Sequence, residues 1–229
     1  MHRTSCVAPA LHPFFNWHYT KVDFMEDITK KRYDRNAFLF DRLDALFRGL
    51  VSVRKQGLVK EAKGRVLEVG VGTGATLEHY PEDIELVGID ISPNMLSRAK
   101  KRAHVFRGKQ LTLVEADVQA LEFPDDSFDT VFTSCVFCSV TDPVQGFREI
   151  NRVLKPGGRG VHLEHVRSCR PVVGKLMDVL NPVVVRMTGA NINRDTAQNI
   201  RKSGLTLTDE KNLWLDILKL FRVTKGTST

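Results

Sequence analysis

Residues 65–74 read RVLEVGVGTG, an apolar run that leads directly into a turn with glycine at every second position. The apolar run predicts a buried strand, and Gly70, Gly72 and Gly74 place no Cβ in the way of a ligand that approaches the backbone closely. The residues from Ala75 to Tyr80 can begin a helix whose unpaired amides point back at that ligand. The stretch therefore predicts a strand and a glycine turn built around a nucleotide-like ligand.

A second apolar run, LVGID at residues 86–90, ends in Asp90, where a carboxylate can accept hydrogen bonds from both hydroxyls of a ribose. A dinucleotide site has its glycines as Gly-x-Gly-x-x-Gly, but here position 75 is Ala and the glycines alternate. Glu68, two residues before the first glycine, also argues against a dinucleotide site. The pattern resembles the first motif of class I S-adenosylmethionine (SAM) methyltransferases, whose loop wraps the methionine part of the cofactor. That resemblance implies SAM as the cofactor.

Composition and charge set limits on the class of protein. The 229 residues are 42% hydrophobic and 27% charged, and they fit one globular domain. No apolar run has the length needed to cross a bilayer, and the N-terminus has no continuous signal-peptide core, so we expect a cytoplasmic protein. The net charge of +7 fits either an anionic partner or simple solubility. A basic group at residues 30–35 is a candidate contact for an anionic membrane surface, and a solvated helix face is the alternative.

After Gly64, strand-like and helix-like patterns alternate along the chain. The alternation predicts a doubly wound, Rossmann-like α/β fold with a seven-stranded, mostly parallel sheet. Ser92-Pro93 and Asp142-Pro143 predict two helix starts, and residues 155–158 predict a turn. We expect residues 1–60 to form an N-terminal helical lid and residues 61–229 the SAM-binding domain. The expected strands lie at 65–70, 86–90, 111–117, 128–135 and 159–166, followed by an antiparallel edge pair at 205–214 and 218–224.

Polar side chains follow several of these strands at the edge where open α/β sheets bind ligands. Asp117 can accept from an adenine amino group while Ile91 and Val118 flank the ring, and Glu68 with the glycine amides can hold the amino-acid end. Cys135-x-x-Cys138 has no second pair, so no metal site is expected. Cys135 is either a core thiol or a pocket residue. The expected cofactor contacts are Glu68, Gly70, Gly72, Thr73, Gly74, Asp90, Ile91, Met95, Asp117, Val118, Ser134 and Cys135.

Longer motifs make the resemblance more specific. Residues 65–166 resemble the ubiquinone/menaquinone-type (methyltransferase type 11) branch, with FDTV at 128–131 and REINRVLKPGG at 148–158. A closer similarity, to the methyltransferase-like alkyl-thiol S-methyltransferases and to bacterial phosphatidylethanolamine N-methyltransferases, rests on CSV at 138–140, LEHV at 163–166, LNP at 180–182 and GANINR at 189–194. It implies methyl transfer to an N or S nucleophile of a small lipophilic or membrane-borne acceptor. A quinone-precursor C-methyltransferase is the alternative.

Methyl transfer from a sulfonium is an in-line displacement, so the protein mainly positions the acceptor. His165 and Tyr33 are the candidate catalytic residues, although a lone histidine can be purely structural. His18, Tyr19 and Arg194 are candidate substrate contacts, with Arg194 able instead to cap a helix or form an ion pair. Residues 168–204, which follow the last parallel strand, are the candidate substrate lid.

Two other function classes compete with this interpretation. The charge suggests a nucleic-acid methyltransferase, but residues 133–136 read TSCV instead of the Asn/Asp-Pro-Pro-aromatic motif of base-modifying amino-methyltransferases. We therefore expect a small-molecule or lipid partner and no nucleic acid. A non-catalytic SAM-binding module is the other alternative. The sequence leaves the oligomeric state open.

Overall fold

The central sheet of the computed structural model, which describes residues 54–226, has seven strands. They are β1 (Arg65–Val69), β2 (Glu85–Asp90), β3 (Gln110–Glu115), β4 (Phe128–Ser134), β5 (Leu154–His165), β6 (Thr206–Trp214) and β7 (Leu218–Thr224). Their order across the sheet is β3-β2-β1-β4-β5-β7-β6. The first five strands pair in parallel, and β7 pairs antiparallel with both β5 and β6. This confirms the mostly parallel sheet with an antiparallel C-terminal pair.

The helices connect these strands. Helix α1 is described over residues 54–59 and ends there. It is followed by α2 (Pro93–Arg102), α3 (Pro143–Val153), α4 (Pro171–Thr188) and α5 (Thr196–Lys202), with short 3-10 turns at Leu77–His79 and Ala103–Val105.

Two apolar cores lie on opposite faces of the sheet because neighbouring residues of a strand point to opposite sides. Val131 belongs to a core with Phe147 and Ile150 of α3, and the neighbouring Phe132 belongs to a second core with Leu96 of α2. Both faces are covered, which explains why the central strands are apolar almost throughout.

The register aligns the carboxyl ends of the inner strands. Val69, near the end of β1, pairs with Ile89 of β2 on one side and with Thr133 of β4 on the other. Thr133 in turn pairs with His162 of β5. The turns that leave these four strands therefore lie side by side along one edge of the sheet.

The two predicted helix starts are confirmed. The Ser92 hydroxyl accepts from the Met95 amide at 3.2 Å, and the Asp142 carboxylate accepts from the Gln145 amide at 3.0 Å. Each capping residue is followed by a proline in the first turn, where the missing N–H leaves no bond unmade. Local sequence is sufficient to fix both helix starts.

The predicted turn at residues 155–158 was wrong, and a proline lies inside helix α4. Residues 155–158 form no isolated turn: Leu154 pairs with Phe128 and Arg159 with Thr130, so the residues between bulge out of a strand that starts at Leu154. Pro182 does not interrupt α4, which runs continuously for 18 residues. A proline keeps a helical φ but has no N–H, so the carbonyl one turn earlier loses its hydrogen-bond donor. Because Pro182 is exposed, that carbonyl can bond to water instead.

Candidate functional site

The glycine turn after β1 has left-handed backbone at each of its three glycines, with φ of +71° at Gly70, +56° at Gly72 and +75° at Gly74. A Cβ on Gly70 would lie 2.4 Å from a methyl carbon of Val136, and one on Gly74 would lie 3.1 Å from the Ala99 Cα. A Cβ on Gly72 would meet nothing closer than 4.0 Å. Gly70 and Gly74 are thus required by packing within the protein, whereas Gly72 faces open space at the carboxyl edge of the sheet.

The segment after the turn is shorter than predicted. In place of a helix from Ala75 to Tyr80, the chain makes only the 3-10 turn Leu77–His79. Tyr80 precedes Pro81, and a residue before proline is driven to extended conformation. Its φ of −69° and ψ of 149° end the turn at that point.

Glu68 lies beneath the glycine turn and is only 3% exposed. Its carboxylate accepts from the Thr76 hydroxyl at 2.8 and 2.9 Å and from the Tyr80 hydroxyl at 3.1 Å. Burial raises the pKa of Glu68 to about 7, partly offset by those two hydroxyls. The glutamate therefore ties β1 to the 3-10 turn. No sequence motif marked Thr76 or Tyr80 as its partners.

Asp90 joins the glycine turn to the start of α2. One carboxylate oxygen accepts from the Gly72 amide at 2.9 Å, and the other accepts from the Ser92 amide at 2.9 Å. These bonds fix the plane of the carboxylate at the end of β2. Because a carboxylate oxygen can accept more than one hydrogen bond, this orientation fits recognition of a ribose diol.

The predicted adenine contacts lie beyond Asp90. Val118 and Met95 are buried, and Ile91 is half-buried. Asp117 accepts from the Gln119 amide at 2.9 Å and from its side-chain nitrogen at 2.9 Å. Sequence reasoning missed Gln119, because a glutamine in a loop carries no motif signal.

The carboxylate of Glu164 organises the loop that follows β4. It is fully buried and accepts from the Thr133 hydroxyl at 2.8 Å and from the amides of Val136 at 3.3 Å and Phe137 at 3.1 Å. The same hydroxyl lies 3.0 Å from Nδ1 of His162, which is also buried, and burial lowers the pKa of that imidazole to about 3. His162 is therefore neutral and structural.

Replacing Glu164 by Gln should change how stability varies with pH. Burial raises the pKa of Glu164 to about 7, whereas a glutamate in an unfolded chain has a pKa of about 4.3. Between these values only the folded protein keeps the proton, so this group's contribution to the free energy of unfolding falls as pH rises. Denaturant unfolding measures the free energy of unfolding at pH 5 and at pH 7. From the lower to the higher pH, this free energy should fall by up to about 2 kcal/mol less in Glu164→Gln than in the parent protein.

The exposed Glu82 supplies the matched control, and Glu82→Gln should follow the parent protein at both pH values. Parallel pH dependence in Glu164→Gln and the parent would contradict the raised pKa.

Ser134 ends β4 and Cys135 follows it at the same edge of the sheet, and both are half-buried. Cys135 has a positive φ of 54°, and its amide donates to the Leu163 carbonyl at 2.8 Å. Burial, with the nearby negative charge of Glu164, raises the pKa of the Cys135 thiol to about 11. The thiol is therefore protonated near neutral pH and can line a pocket but not act as a nucleophile.

His165, the candidate base, lies one residue beyond Glu164 and points to the opposite face of the sheet. Its Nδ1 is buried and has no hydrogen-bond partner within residues 54–226. Burial lowers its pKa, so the imidazole is neutral near pH 7 and able to accept a proton.

Arg194 connects the segment after α4 to the loop after β4. Its guanidinium donates to the Val140 carbonyl at 2.7 Å, and the neighbouring Asn191 donates to the Cys138 carbonyl from its amide at 2.7 Å and its side chain at 3.1 Å. Burial lowers the pKa of Arg194. Its Nε is buried without a partner in the described part of the chain. The arginine thus anchors the loop, and its predicted contact with substrate stays a prediction.

The remaining candidates, Tyr33, His18 and Tyr19, lie outside the described residues. The basic group at residues 30–35 does so as well. Within residues 54–226, no cluster of histidine, cysteine and acidic side chains has the geometry to hold a metal ion.

The described residues fit SAM. Gly72 leaves open space beside an oriented carboxylate, Asp90, and the buried Val118 follows the third strand end. Glu68 stabilises the turn from below. When bound, SAM supplies an electrophilic methyl group on a sulfonium.

Comparisons with known proteins agree with this geometry. Residues 67–161 match the family described as a methyltransferase domain, Methyltransf_11. The chain is 35% identical over 173 residues to the ubiquinone/menaquinone biosynthesis C-methyltransferase UbiE of Geobacter sp. (strain M21), and the match covers 72% of each protein. It is 39% identical over 103 residues to a phosphatidylethanolamine N-methyltransferase of Cereibacter sphaeroides, and there the match covers 44% of this chain and 51% of the relative.

The fold itself matches that of solved methyltransferases. A SAM-dependent methyltransferase from Thermotoga maritima, described as a "possible histamine N-methyltransferase", superposes with a TM-score of 0.65 at 21% identity, over 85% of this chain and 99% of that one. Because the chain matches the Methyltransf_11 family and a UbiE methyltransferase, its cofactor is SAM and its reaction is methyl transfer. The match covers more than two thirds of a UbiE relative, and the strand order and the glycine turn agree with it. The chain therefore belongs to the UbiE-type family of class I SAM-dependent methyltransferases.

Proposed function

We propose that this methyltransferase acts on an N or S nucleophile of a small lipophilic or membrane-borne acceptor, such as a phosphatidylethanolamine-type head group or an alkyl thiol. The observation that carries the proposal is the fastening of residues 189–194 to the loop after β4 through Asn191 and Arg194. This fastening holds the largely apolar helix α4 beside the carboxyl edge of the sheet. A helix with an exposed apolar side, held next to the methyl donor, suits the approach of a lipophilic acceptor better than that of a highly charged one.

The residues at this edge suit acceptor positioning with a mild base. Gly72 and Asp90 would hold the cofactor, and the loop anchored by Glu164 would set the position of Cys135 beside it. The neutral imidazole of His165 can take the proton that an ammonium must lose before its nitrogen attacks. A thiol is already partly ionised near neutral pH and needs less help.

The relatives support two acceptors. The similarity to a phosphatidylethanolamine N-methyltransferase supports an amine head group. The similarity to UbiE C-methyltransferases favours a second candidate function, C-methylation of a quinone precursor. Both acceptors are lipophilic, and we propose a small-molecule or lipid partner for this chain in preference to a nucleic acid.

A product assay separates these acceptors. SAM consumption with mass detection should be measured over phosphatidylethanolamine vesicles, small alkyl thiols, a demethylated quinone and RNA. We expect product with the amine or the thiol. His165→Asn should reduce the rate with an amine by about two orders of magnitude and the rate with a thiol much less, because only the amine must be deprotonated by the protein.

The exposed His104, which lies after α2, supplies the control, and His104→Asn should leave both rates unchanged. Product with the quinone alone would establish the second candidate function. Equal losses with amine and thiol would contradict the role of His165 as a base.

A further inference from the structure

Helix α4 exposes an unusually apolar side. Val172 is 82% exposed, and Val179 and Met187 are each 67% exposed. We use the name α4 face for this set of exposed side chains, which consists of Val172, Val173, Leu176, Val179, Leu180, Val183 and Met187. Soluble proteins rarely leave so many neighbouring apolar side chains in water, so the face calls for a partner.

The α4 face is a single stripe along the helix. Its central members, at 172, 176, 179, 183 and 187, recur at steps of three and four residues, which places them on one side. The buried residues of the helix, Gly174 and Met177, lie on the other side and hold it to the protein. The apolar stripe therefore points away from the domain and is not part of its core.

The turn between β6 and β7 extends this surface. Trp214 is 43% and Leu215 is 56% exposed. The next residue, Asp216, accepts from the Ser168 hydroxyl at 3.0 Å and from the Cys169 amide at 2.9 Å. These bonds hold the turn against the chain that leads into α4, so the turn that carries the exposed Trp214 lies near the start of the helix.

The charges around the α4 face are mainly positive. Lys175 and Arg186 are exposed on one flank of the stripe, and neither takes part in an ion pair among the described residues. The acidic residue of the helix, Asp178, is bonded to Arg167 at 2.8 Å and to Asn193 at 3.1 Å. An apolar stripe flanked by long cationic side chains, with a tryptophan at its edge, is the pattern of a helix that lies in a membrane interface.

The position of α4 connects this surface to the active edge. Asn181 of α4 donates to the Asn191 side chain at 3.3 Å and accepts from the Ile192 amide at 2.8 Å. Asn191 in turn donates to Cys138 in the loop after β4. A partner that covers the α4 face would therefore lie next to the methyl-transfer site.

We propose that the α4 face, with Trp214 and Leu215, docks on an anionic lipid surface. The positive charge of Lys175 and Arg186 favours an anionic lipid surface over a second copy of this chain. Two copies that met through this face would bring these cations close to one another. In the described part of the chain no helix is long and apolar enough to cross a bilayer. The inference deepens the proposed function by naming the surface through which a lipophilic acceptor is reached.

Trp214 provides a local probe of docking. The chain has two tryptophans, so a Trp17→Phe version of the full protein reports from Trp214 alone. On vesicles of phosphatidylglycerol and phosphatidylcholine, its emission should shift to shorter wavelength and be quenched by brominated acyl chains. Vesicles of phosphatidylcholine alone should give a much weaker response, because the cations then have no partner.

Substitutions in the same background test the two parts of the surface. The double variant Val179→Glu and Val183→Glu should weaken vesicle affinity at least about tenfold, because it places charge in the apolar stripe. Lys175→Ala and Arg186→Ala should each weaken it roughly fivefold. Val114→Glu is the matched control, since Val114 is 36% exposed on β3 at the far edge of the sheet and should not matter.

Three results would overturn the proposal. One is a Trp214 emission that does not change on anionic vesicles. Another is vesicle binding that survives both glutamates unchanged, which would mean that another segment of the chain carries it. A third is loss of a concentration-dependent dimer in the double variant without any effect on vesicles, which would identify a second copy as the occupant. Vesicle binding is measured without SAM, so its failure is distinct from a failure of methyl transfer to any proposed acceptor.

Discussion

Replacing Asp90 by Ala should weaken SAM binding by about two orders of magnitude or more and reduce turnover accordingly. A buried or half-buried hydrogen bond to a charged group is worth about 1.5–3 kcal/mol, and a ribose diol would make two of them. The substitution also removes the acceptor of the Gly72 and Ser92 amides, so the glycine turn loses its connection to α2. Titration calorimetry with SAM measures the first effect directly.

The same strand offers a matched control. Asp83 is exposed and lies just before β2, at the opposite end from Asp90. Asp83→Ala should bind SAM as the parent protein does. Normal SAM affinity in Asp90→Ala would show that the cofactor lies elsewhere than at the end of β2.

Gly72→Ala should abolish most SAM binding while costing the fold little. The new methyl group would project into the space that no protein atom fills within 4.0 Å, so it obstructs the ligand and not the protein. Left-handed backbone costs an alanine roughly 1–2 kcal/mol, and we expect the free energy of unfolding to fall by about that amount. SAM affinity should fall by about two orders of magnitude, a larger effect than strain alone would give.

Gly157 separates backbone strain from obstruction. Its φ of +76° is also left-handed, and a Cβ there would meet nothing within 4 Å, but it lies in the bulge that begins β5, away from the carboxyl edge. Gly157→Ala should therefore lose a similar amount of stability and keep its SAM affinity. Equal SAM affinity in the two variants would mean that the space over Gly72 is not the cofactor site.

These two predictions test different parts of one arrangement. Asp90 supplies an oriented acceptor, and Gly72 supplies room together with an amide that orients the acceptor. Neither residue alone defines a SAM site. They lie side by side because β1 pairs with β2. Val69 is directly opposite Ile89, so the turns that follow the two strands begin next to each other at the edge of the sheet.

Much of the cofactor side was predictable from local sequence. The run at 65–74 dictated a strand and a glycine turn, and Asp90 at the end of the next strand was expected beside it. Ser92-Pro93 and Asp142-Pro143 fixed two helix starts through bonds that span only three residues. Such features depend on neighbours in the chain, and parallel topology then brings the strand ends to one edge.

The sequence alone determined, in this way, the fold class, the family and the cofactor. Only the tertiary structure decided that Glu164 holds the loop after β4, that Arg194 bonds to Val140 and that α4 runs through Pro182 with an apolar stripe facing outward. The first two contacts join residues 27 to 54 positions apart, and the third depends on which side of a helix finds a surface to cover. Partners at such distances are selected by packing and burial of the whole chain, to which local periodicity and spacing contribute no information.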